Sequence, residues 1–182
     1  MNNNNQSPEL IEERLFYRGR KFDFAVSRLR LPMGLQGEWE YIKHPGGALA
    51  VPITNEGKLV LVNQYRFTLS GRILEFPAGT IESQEKPSET IARELEEETG
   101  YRASHWNFLG QFPLAPGYSD EYIFAYLAQG LEKLVHPPQQ DEDEDIEVIL
   151  MFPEDLEKAI LTGQRVDAKT IASYFLAKPF LD

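Results

Sequence analysis

The segment GTIESQEKPSETIARELEEETGY, residues 79–101, is the most glutamate-rich helical pattern of this chain. Six glutamates stand in the fourteen positions from Glu85 to Glu98. Most of the segment favours a helix, with Pro87 suited to its first turn and Gly100 suited to the position after its end. Like charges one turn apart repel by roughly 0.2–0.5 kcal/mol per pair in an isolated helix. The crowding of carboxylates therefore needs a cause.

A helical wheel sorts these glutamates into two sets. At 100° per residue, Glu94, Glu97 and Glu98 fall within one arc of about 100°. Beside this acidic patch lies a stripe that a core would cover, formed by Ile91, Ala92, Leu95 and Thr99. Glu89 and Glu96 point the other way, toward solvent. The helix therefore carries an ordinary polar surface and a separate carboxylate patch next to the core.

Two explanations of the patch remain open at this point. Charged side chains mostly lie on exposed faces, so Glu94, Glu97 and Glu98 could simply be solvated. A divalent cation such as Mg²⁺ or Mn²⁺ is the other explanation, because these ions take carboxylate oxygens and share their remaining positions with phosphates. Arg93 lies one turn before Glu97 and can brace it. Helix spacing alone does not decide between the two.

Composition narrows the class of protein. The chain has 182 residues, which favours one domain with a small N-terminal extension, and 42% of them are hydrophobic. No cysteine is present, which excludes disulfides, zinc–thiolate sites and cysteine nucleophiles. A net charge of −11 disfavours a nucleic-acid partner, because phosphate binding needs a basic face. The start lacks a signal-peptide pattern and no apolar run approaches the ~20 residues of a membrane span, so we expect a cytoplasmic protein without a membrane partner.

Strand and helix patterns along the chain predict an α+β fold. The predicted strands cover residues 22–30, 39–44, 48–54, 58–66, 72–76, 105–112, 121–128 and 147–152. Asn55-Glu56-Gly57 is a hairpin signal between the third and fourth of these. Helices are expected near 153–162 and 167–178, the latter with Asp167 as its N-cap. Many strands with one helix among them and two at the end are typical of a mixed α+β sandwich.

The spacing within the opening segment resembles the Nudix box. Gly79, Glu85, the run Arg93-Glu94-Leu95, the pair Glu97-Glu98 and the pair Gly100-Tyr101 stand at the box positions. Tyr101 departs from the Ile, Leu or Val that the family usually has there, which affects local packing and leaves the chemistry unchanged. The resemblance implies a mixed-sheet α/β/α sandwich with an N-terminal β extension. It also implies that a loop, a helix and a second loop bind divalent metal at a diphosphate.

This resemblance gives roles to the box residues. It implies that Glu94 and Glu98 bind Mg²⁺ or Mn²⁺, with Glu97 as a further ligand and with Ala78 contributing its backbone carbonyl. Glu97 and Glu98 are thereby catalytic candidates. The supporting residues are Gly79, Glu85 and Arg93, of which the last two orient the ligands. Cations would offset the repulsion among the glutamates.

Stretches outside the box resemble the ADP-ribose pyrophosphatase subfamily. They are LVNQYR (61–66), LEFPAGTIE (74–82) and APGYSDEYIFAYLA (115–128). The resemblance implies substrate-binding roles for Arg66, Glu75, Pro116 and Glu121. Arg66 would bind phosphates with its planar fork, and Glu75 would lie beside the metal site or pair with Arg66. The alternative for Arg66 is an arginine at a strand end that pairs with a surface acid, and the alternative for Glu121 is a surface residue at the start of a strand.

The run DEDEDIE, residues 141–147, holds six acids in seven positions. Such runs are usually solvated, but this one leads into an apolar strand and resembles the catalytic loop of ADP-ribose pyrophosphatases. On that match Glu142 is the general base and Glu144 a further metal ligand. Asp141, Asp143 or Glu147 would serve instead if the register shifts.

These patterns together predict metal-dependent hydrolysis of ADP-ribose to AMP and ribose 5-phosphate. Another nucleoside diphosphate sugar such as GDP-mannose, a nucleotide-sensing module without catalysis and an acidic cation buffer are the alternatives. We expect a disordered tail over residues 1–7, an N-terminal β region over 8–46 and the hydrolase domain over 47–182. The β region resembles an element that two subunits exchange, which predicts a homodimer.

Overall fold

The computed structural model describes residues 7–139 and 145–181. Contacts between residues group them into two units. The first unit comprises residues 7–45 and Ala115–Glu121, and the second comprises Gly46–Leu114 and the described residues from Tyr122 onward. Nearly all of the predicted tail lies outside the described residues. None of the described helices is long and apolar enough to span a membrane.

The first unit is an antiparallel sheet of three strands in the order β1-β2-β3. The strands are β1 (Glu9–Arg18), β2 (Asp23–Arg30) and β3 (Gln36–Lys43). β1 was not predicted from the sequence, because three consecutive charged residues, 12–14, interrupt its alternation. The segment Ala115–Glu121 joins this unit through Ile42, whose backbone N–H donates to the carbonyl of Tyr118 at 2.8 Å.

The second unit holds two sheets and three helices. Its strands are β4 (Gly47–Pro52), β5 (Leu59–Arg66), β6 (Gly71–Glu75), β7 (Ala78–Thr80), β8 (Tyr101–Pro113), β9 (Tyr122–Lys133) and β10 (Ile146–Met151). Its helices are α1 (Pro87–Thr99), α2 (Pro153–Leu161) and α3 (Ala168–Ala177). One sheet has the order β7-β4-β9-β8 and the other β10-β5-β6. β4 and β9 are parallel and the other pairs antiparallel, so the predicted mixed α+β fold is confirmed.

The hairpin predicted at Asn55-Glu56-Gly57 is wrong, although the turn itself is present. Thr54 donates its backbone N–H to the carbonyl of Lys58 at 2.8 Å, and Gly57 has a φ of +77°. Beyond one bridge between Ile53 and Leu59 the strands diverge, because β4 pairs with β7 and β9 while β5 pairs with β6 and β10. All six residues of β4 are buried. A strand with both faces covered belongs in the interior of a sheet. β4 and β5 both have interior positions, but in different sheets.

The core lies on both faces of the four-stranded sheet. Ala48 and Ala50 of β4 pack under Ile91 and Leu95 of α1, and their small side chains let the helix approach closely. The alternate residues of β4 point to the opposite face. There they join the larger cluster that includes side chains of α2 and α3: Leu49, Val51, Leu156, Tyr174 and Ala177. Each fully buried leucine or isoleucine contributes about 1.5–3 kcal/mol, so α1 is held firmly against β4.

Candidate metal and diphosphate site

Helix α1 begins and ends as its sequence predicts. Pro87 occupies the first helical turn, and the side chain of Glu89 accepts a hydrogen bond from the backbone N–H of Lys86 at 3.0 Å. Gly100 closes the helix in the left-handed region with φ +70°, which a residue with a Cβ adopts only with strain. The caps set where α1 begins and ends, and the packing of Ile91 and Leu95 against β4 sets which glutamates lie beside the core.

The acidic patch adjoins the core side of α1, next to strand β7. Glu98 is only 2% exposed, and its Oε2 accepts the backbone N–H of Ala78 at 3.1 Å. Glu89 is exposed. Glu96 turns away from the patch as expected, but it is half-buried and pairs with Arg102 at 2.6 Å rather than being purely solvated.

Arg93 gathers three carboxylates around one guanidinium. Its Nε and Nη2 donate to Glu85 at 3.2 Å each, and its Nη1 donates to Glu94 and Glu97 at 2.9 Å each. The hydrogen bonds to Glu85 raise the pKa of Arg93 and lower the pKa of Glu85. We call these four residues with Glu98 the box cluster. The predicted bracing by Arg93 therefore has a definite geometry.

The space around Gly79 shows why this position of the box has no side chain. A Cβ added there would lie 2.0 Å from Oε1 of Glu94 and 2.4 Å from its Cγ. The Glu94 side chain thus lies directly over the Gly79 backbone. The preceding residue, Ala78, is the one whose backbone N–H donates to Glu98. Two carboxylates of α1 therefore reach the same short strand, β7.

The donor set at this strand fits a hard divalent cation. Carboxylate oxygens and a backbone carbonyl are the ligands that Mg²⁺ and Mn²⁺ prefer. Within residues 7–139 and 145–181, no three acidic or histidine side chains already stand in a metal-binding arrangement. The geometry gives a reason, because Arg93 holds the carboxylates of Glu94 and Glu97. A cation that entered would share these two side chains with the guanidinium.

Arg66 and Glu75 form the second charged group of the unit. Nε and Nη2 of Arg66 donate to the two carboxylate oxygens of Glu75 at 2.6 and 2.8 Å. Lys169 of α3 donates its ammonium to both Glu75 and Asp167. We call these four residues the platform cluster. The pairing of Glu75 with Arg66 was one of the two predicted alternatives.

Burial and pairing set the charges of the platform cluster. Burial alone would raise the pKa of Glu75, but hydrogen bonds from Arg66 and the charges of Lys169 and Arg66 lower it to about 2. Burial raises the pKa of Asp167 against the pull of Lys169. Burial lowers the pKa of Lys169, but Asp167 and Glu75 outweigh it and hold that pKa above its ordinary value. Glu75 and Lys169 are therefore both charged at neutral pH.

Sequence reasoning missed Lys169. It recognised Asp167 as the N-cap of α3, and the Asp167 side chain does accept the backbone N–H of Lys169 at 2.6 Å. The partner Glu75 lies 94 positions away in the chain. No local spacing relates the two, so a lysine next to a helix cap gave no signal of a second role.

Pro116 and Glu121 belong to the first unit. Pro116 is exposed in the segment that follows β8. The carboxylate of Glu121 lies 3.6 Å from Nδ1 of His44, and Asp120 accepts the backbone N–H of His44 at 2.7 Å. The substrate-binding roles of Pro116 and Glu121 stay predictions.

The predicted catalytic loop falls largely outside the described residues. Glu142 and Glu144 belong to the part that the structure does not describe, and so do Asp141 and Asp143. Asp145, where description resumes, pairs with Arg72 at 2.5 Å, and its carbonyl accepts the backbone N–H of Tyr65 at 3.0 Å. The C-terminal end of the acidic run is thus attached to β5 and β6.

A comparison with known protein families identifies the fold family. The model of the NUDIX domain matches residues 43–174. The chain belongs to the Nudix family. This match runs from the end of the first unit into α3, so it includes both the box cluster and the platform cluster.

Individual relatives agree with this assignment. The Nudix chain is 38% identical over 160 residues to the ADP-ribose pyrophosphatase of Bacillus subtilis strain 168, covering 88% of this chain and 86% of that protein. It is also 38% identical over 161 residues to the methanol dehydrogenase activator of Bacillus methanolicus, with 88% and 87% covered. A crystal structure of an ADP compounds hydrolase superposes with a TM-score of 0.79 at 24% identity, covering 97% of this chain and 95% of that one. That structural likeness supports the fold.

Proposed function

We propose that this Nudix chain hydrolyses the diphosphate of ADP-ribose to AMP and ribose 5-phosphate. The observation that carries the proposal is that the second unit contains both the acid-rich box cluster and Arg66, a half-exposed arginine suited to binding phosphate. The hydrogen bonds to Glu75 raise the pKa of Arg66 above its ordinary value, and the charge of Glu98 adds to that rise, so Glu98 and Arg66 lie within electrostatic reach of each other. The similarity to an ADP-ribose pyrophosphatase over most of both chains supports this choice of substrate.

The cation of this proposal is Mg²⁺ or Mn²⁺. Glu94 and Glu98 would hold it, with Glu97 and the carbonyl of Ala78 as further ligands and Glu144 as a ligand from the loop. A bound cation supplies positive charge that offsets the diphosphate and polarises the attacking water. Arg93 and Glu85 keep the ligand side chains in one orientation.

The remaining steps belong to the chain's own residues. Arg66 binds diphosphate oxygens through the edge of its guanidinium that Glu75 does not occupy. Glu142, as general base, accepts a proton from the attacking water, whose oxygen bonds to one phosphorus. The bond between that phosphorus and the bridging oxygen then breaks, which releases the two monophosphates.

A coupled phosphate assay tests the proposal. ADP-ribose, GDP-mannose, NADH and diadenosine polyphosphates are each incubated with the protein and Mg²⁺ or Mn²⁺, and a phosphatase then releases inorganic phosphate from monophosphate products. We expect the highest kcat/KM with ADP-ribose and no release in EDTA. Preference for GDP-mannose would reassign the substrate. Binding of ADP-ribose without turnover would instead indicate a sensing module.

The homodimer is a further part of the proposal. β1 exposes Leu10, Leu15 and Tyr17 on a three-stranded sheet, and a two-fold symmetric partner is the commonest way to cover such a surface. The N-terminal strands would then be exchanged between subunits. Light scattering that gave a 20.8 kDa particle at micromolar concentration would contradict this part. The cytoplasmic location stays a prediction.

A further inference from the structure

Lys169 is a buried cation that the proposed chemistry does not yet use. Its side chain is 14% exposed and lies between the carboxylates of Glu75 and Asp167. A buried ammonium is costly unless it is paired and hydrogen-bonded. Lys169 meets that condition through two acids, of which Glu75 also holds Arg66.

The backbone around Lys169 is tied to both sides of Glu75. Leu74 donates its N–H to the carbonyl of Arg165 at 2.9 Å and accepts the N–H of Asp167 at 3.1 Å. The backbone N–H of Phe76 donates to Oγ1 of Thr170 at 2.8 Å. The start of α3 is therefore bonded to the residue before Glu75 and to the residue after it. A cation mounted there has a fixed position relative to the Glu75 carboxylate.

Glu75 in turn decides how Arg66 is presented. Its carboxylate takes the Nε–Nη2 edge of the guanidinium, and the Arg66 side chain is still 40% exposed. Nη1 takes no part in these two bonds. Nη1 and the outer N–H of Nη2 are thus directed away from Glu75. Oε2 of Glu75 is shared between Arg66 and Lys169.

We propose that Lys169 is a positioning residue for diphosphate recognition: it fixes the Glu75 carboxylate, which fixes the outward edge of Arg66. The inference rests on the proposed function, because Arg66 must bind substrate phosphates for Lys169 to matter. Small misplacements of a group that positions substrate cost up to about 10²-fold in rate. Without the ammonium, Glu75 keeps one counter-ion in place of two, and Asp167 stands beside it with like charge.

A double-mutant cycle tests the inference. Lys169→Met keeps the length of the side chain and removes its charge, and it is measured alone and combined with Arg66→Ala. We expect Lys169→Met alone to lower kcat/KM for ADP-ribose at least about tenfold, mainly through KM. In the Arg66→Ala background the same substitution should change kcat/KM less than about twofold, because the group it positions is gone. Equal losses in both backgrounds would show a merely structural role and overturn the inference.

Two control variants separate charge from folding. Lys178→Met removes an ion pair with Glu157 next to the other end of α3 and should leave kcat/KM within about twofold of wild type. Asp167→Asn keeps a good N-cap but removes the charge of one of the two acids that hold Lys169, so we expect a loss of kcat/KM smaller than that of Lys169→Met. A loss in Asp167→Asn larger than in Lys169→Met would overturn the inference, because the cap would then be the main cause.

Two further provisions keep the result interpretable. Each variant is assayed at least ~10 °C below its thermal midpoint, and Lys169→Gln replaces Lys169→Met in the same cycle if the latter does not fold. A wild-type protein that cleaves none of the tested diphosphates would contradict the proposed function. A wild type that cleaves ADP-ribose while Lys169→Met or Lys169→Gln matches it would contradict the inference alone.

Discussion

The box cluster and the platform cluster are each built around an arginine, but they differ in charge balance. The box cluster places one guanidinium among four carboxylates. The platform cluster has two cations and two carboxylates in direct contact. A group with equal numbers of cations and carboxylates needs no further counter-ion, whereas an acid-rich group still attracts positive charge. The platform cluster is therefore suited to hold other side chains in place, and the box cluster is suited to bind divalent cations.

The largest expected effect comes from the box cluster. Glu98→Gln keeps the size of the side chain, and its amide oxygen can still accept the N–H of Ala78, so the fold should persist. Removing a charge that stabilises a reacting centre costs about 10²–10³ in rate. We expect a loss of that size in kcat with ADP-ribose at saturating Mg²⁺.

Glu96→Gln is the matched control for this experiment. Glu96 lies on the same helix, but it pairs with Arg102 away from the patch. Its replacement should leave kcat nearly unchanged. Near-normal turnover of Glu98→Gln would remove the main support for a metal role of the box cluster.

The second effect belongs to the platform cluster and concerns stability. The Glu75 carboxylate is 3% exposed and its pKa is about 2 against an ordinary value of 4.5. A depressed pKa contributes stability above pH 4.5, and this contribution is lost as the pH falls toward 2. Glu75→Gln should therefore lower the free energy of unfolding by about 3 kcal/mol at pH 7.

Urea unfolding at several pH values checks this prediction. The difference between wild type and Glu75→Gln should shrink between pH 4.5 and the lowest pH at which both proteins fold. A difference that stayed constant over that range would mean that Glu75 contributes through packing rather than through its charge. In contrast, Mg²⁺ should raise the thermal midpoint of Glu75→Gln as much as that of wild type, because no residue of the platform cluster is a proposed metal ligand.

A smaller effect is expected at Gly79. In Gly79→Ala the new methyl would lie 2.0 Å from Oε1 of Glu94, so Glu94 must move away from β7. We expect kcat/KM for ADP-ribose to fall about tenfold, since a displaced ligand weakens the site without removing its charge. Circular dichroism should show an unchanged fold. An unaffected kcat/KM would mean that the position of Glu94 over Gly79 has no part in catalysis.

The same two clusters show what the sequence could predict. Every contact within the box cluster joins residues of one loop and helix, from Glu85 to Glu98, or the strand just before them. Helical periodicity and turn residues therefore located α1, its ends and its acidic patch correctly. The pairing of Glu75 with Arg66 was one of two alternatives that the family resemblance implied, and it joins β5 and β6, which are adjacent in the chain.

Other features depended on contacts between distant segments. Lys169 meets Glu75 only because α3 packs beside the end of β6. The turn after β4 was recognised correctly, but the sheet that each strand joins depends on β9 and β10, which lie far along the chain. Strand β7 has three residues, too few for an alternation to be visible. The roles of Glu142 and Glu144 remain predictions, since both lie outside the described residues.

The smallest expected effect tests how Arg93 relates to a cation. Two influences oppose each other in Arg93→Met: a repelling charge is lost, which favours metal binding, and the ligands lose their brace, which disfavours it. Glu85, which is not a proposed ligand, pairs with Arg93 and offsets most of its charge, so the net repulsion of the cation is about 1 kcal/mol. Loss of an orienting partner costs about 10–100-fold in affinity, or about 1.4–2.8 kcal/mol.

In Arg93→Met the loss of the brace should therefore outweigh the loss of the repelling charge by about 1 kcal/mol, which weakens metal binding. At one fixed Mg²⁺ concentration, the metal-dependent rise in the free energy of unfolding should be smaller in Arg93→Met than in wild type by that amount. Arg102→Met, which removes the exposed partner of Glu96, is the control and should show the wild-type rise. Urea unfolding with Mg²⁺ and with EDTA measures all three proteins. A larger metal-dependent rise in Arg93→Met than in wild type would identify Arg93 as a competitor of the cation, and the box cluster would then resemble the platform cluster in supplying its own counter-ion.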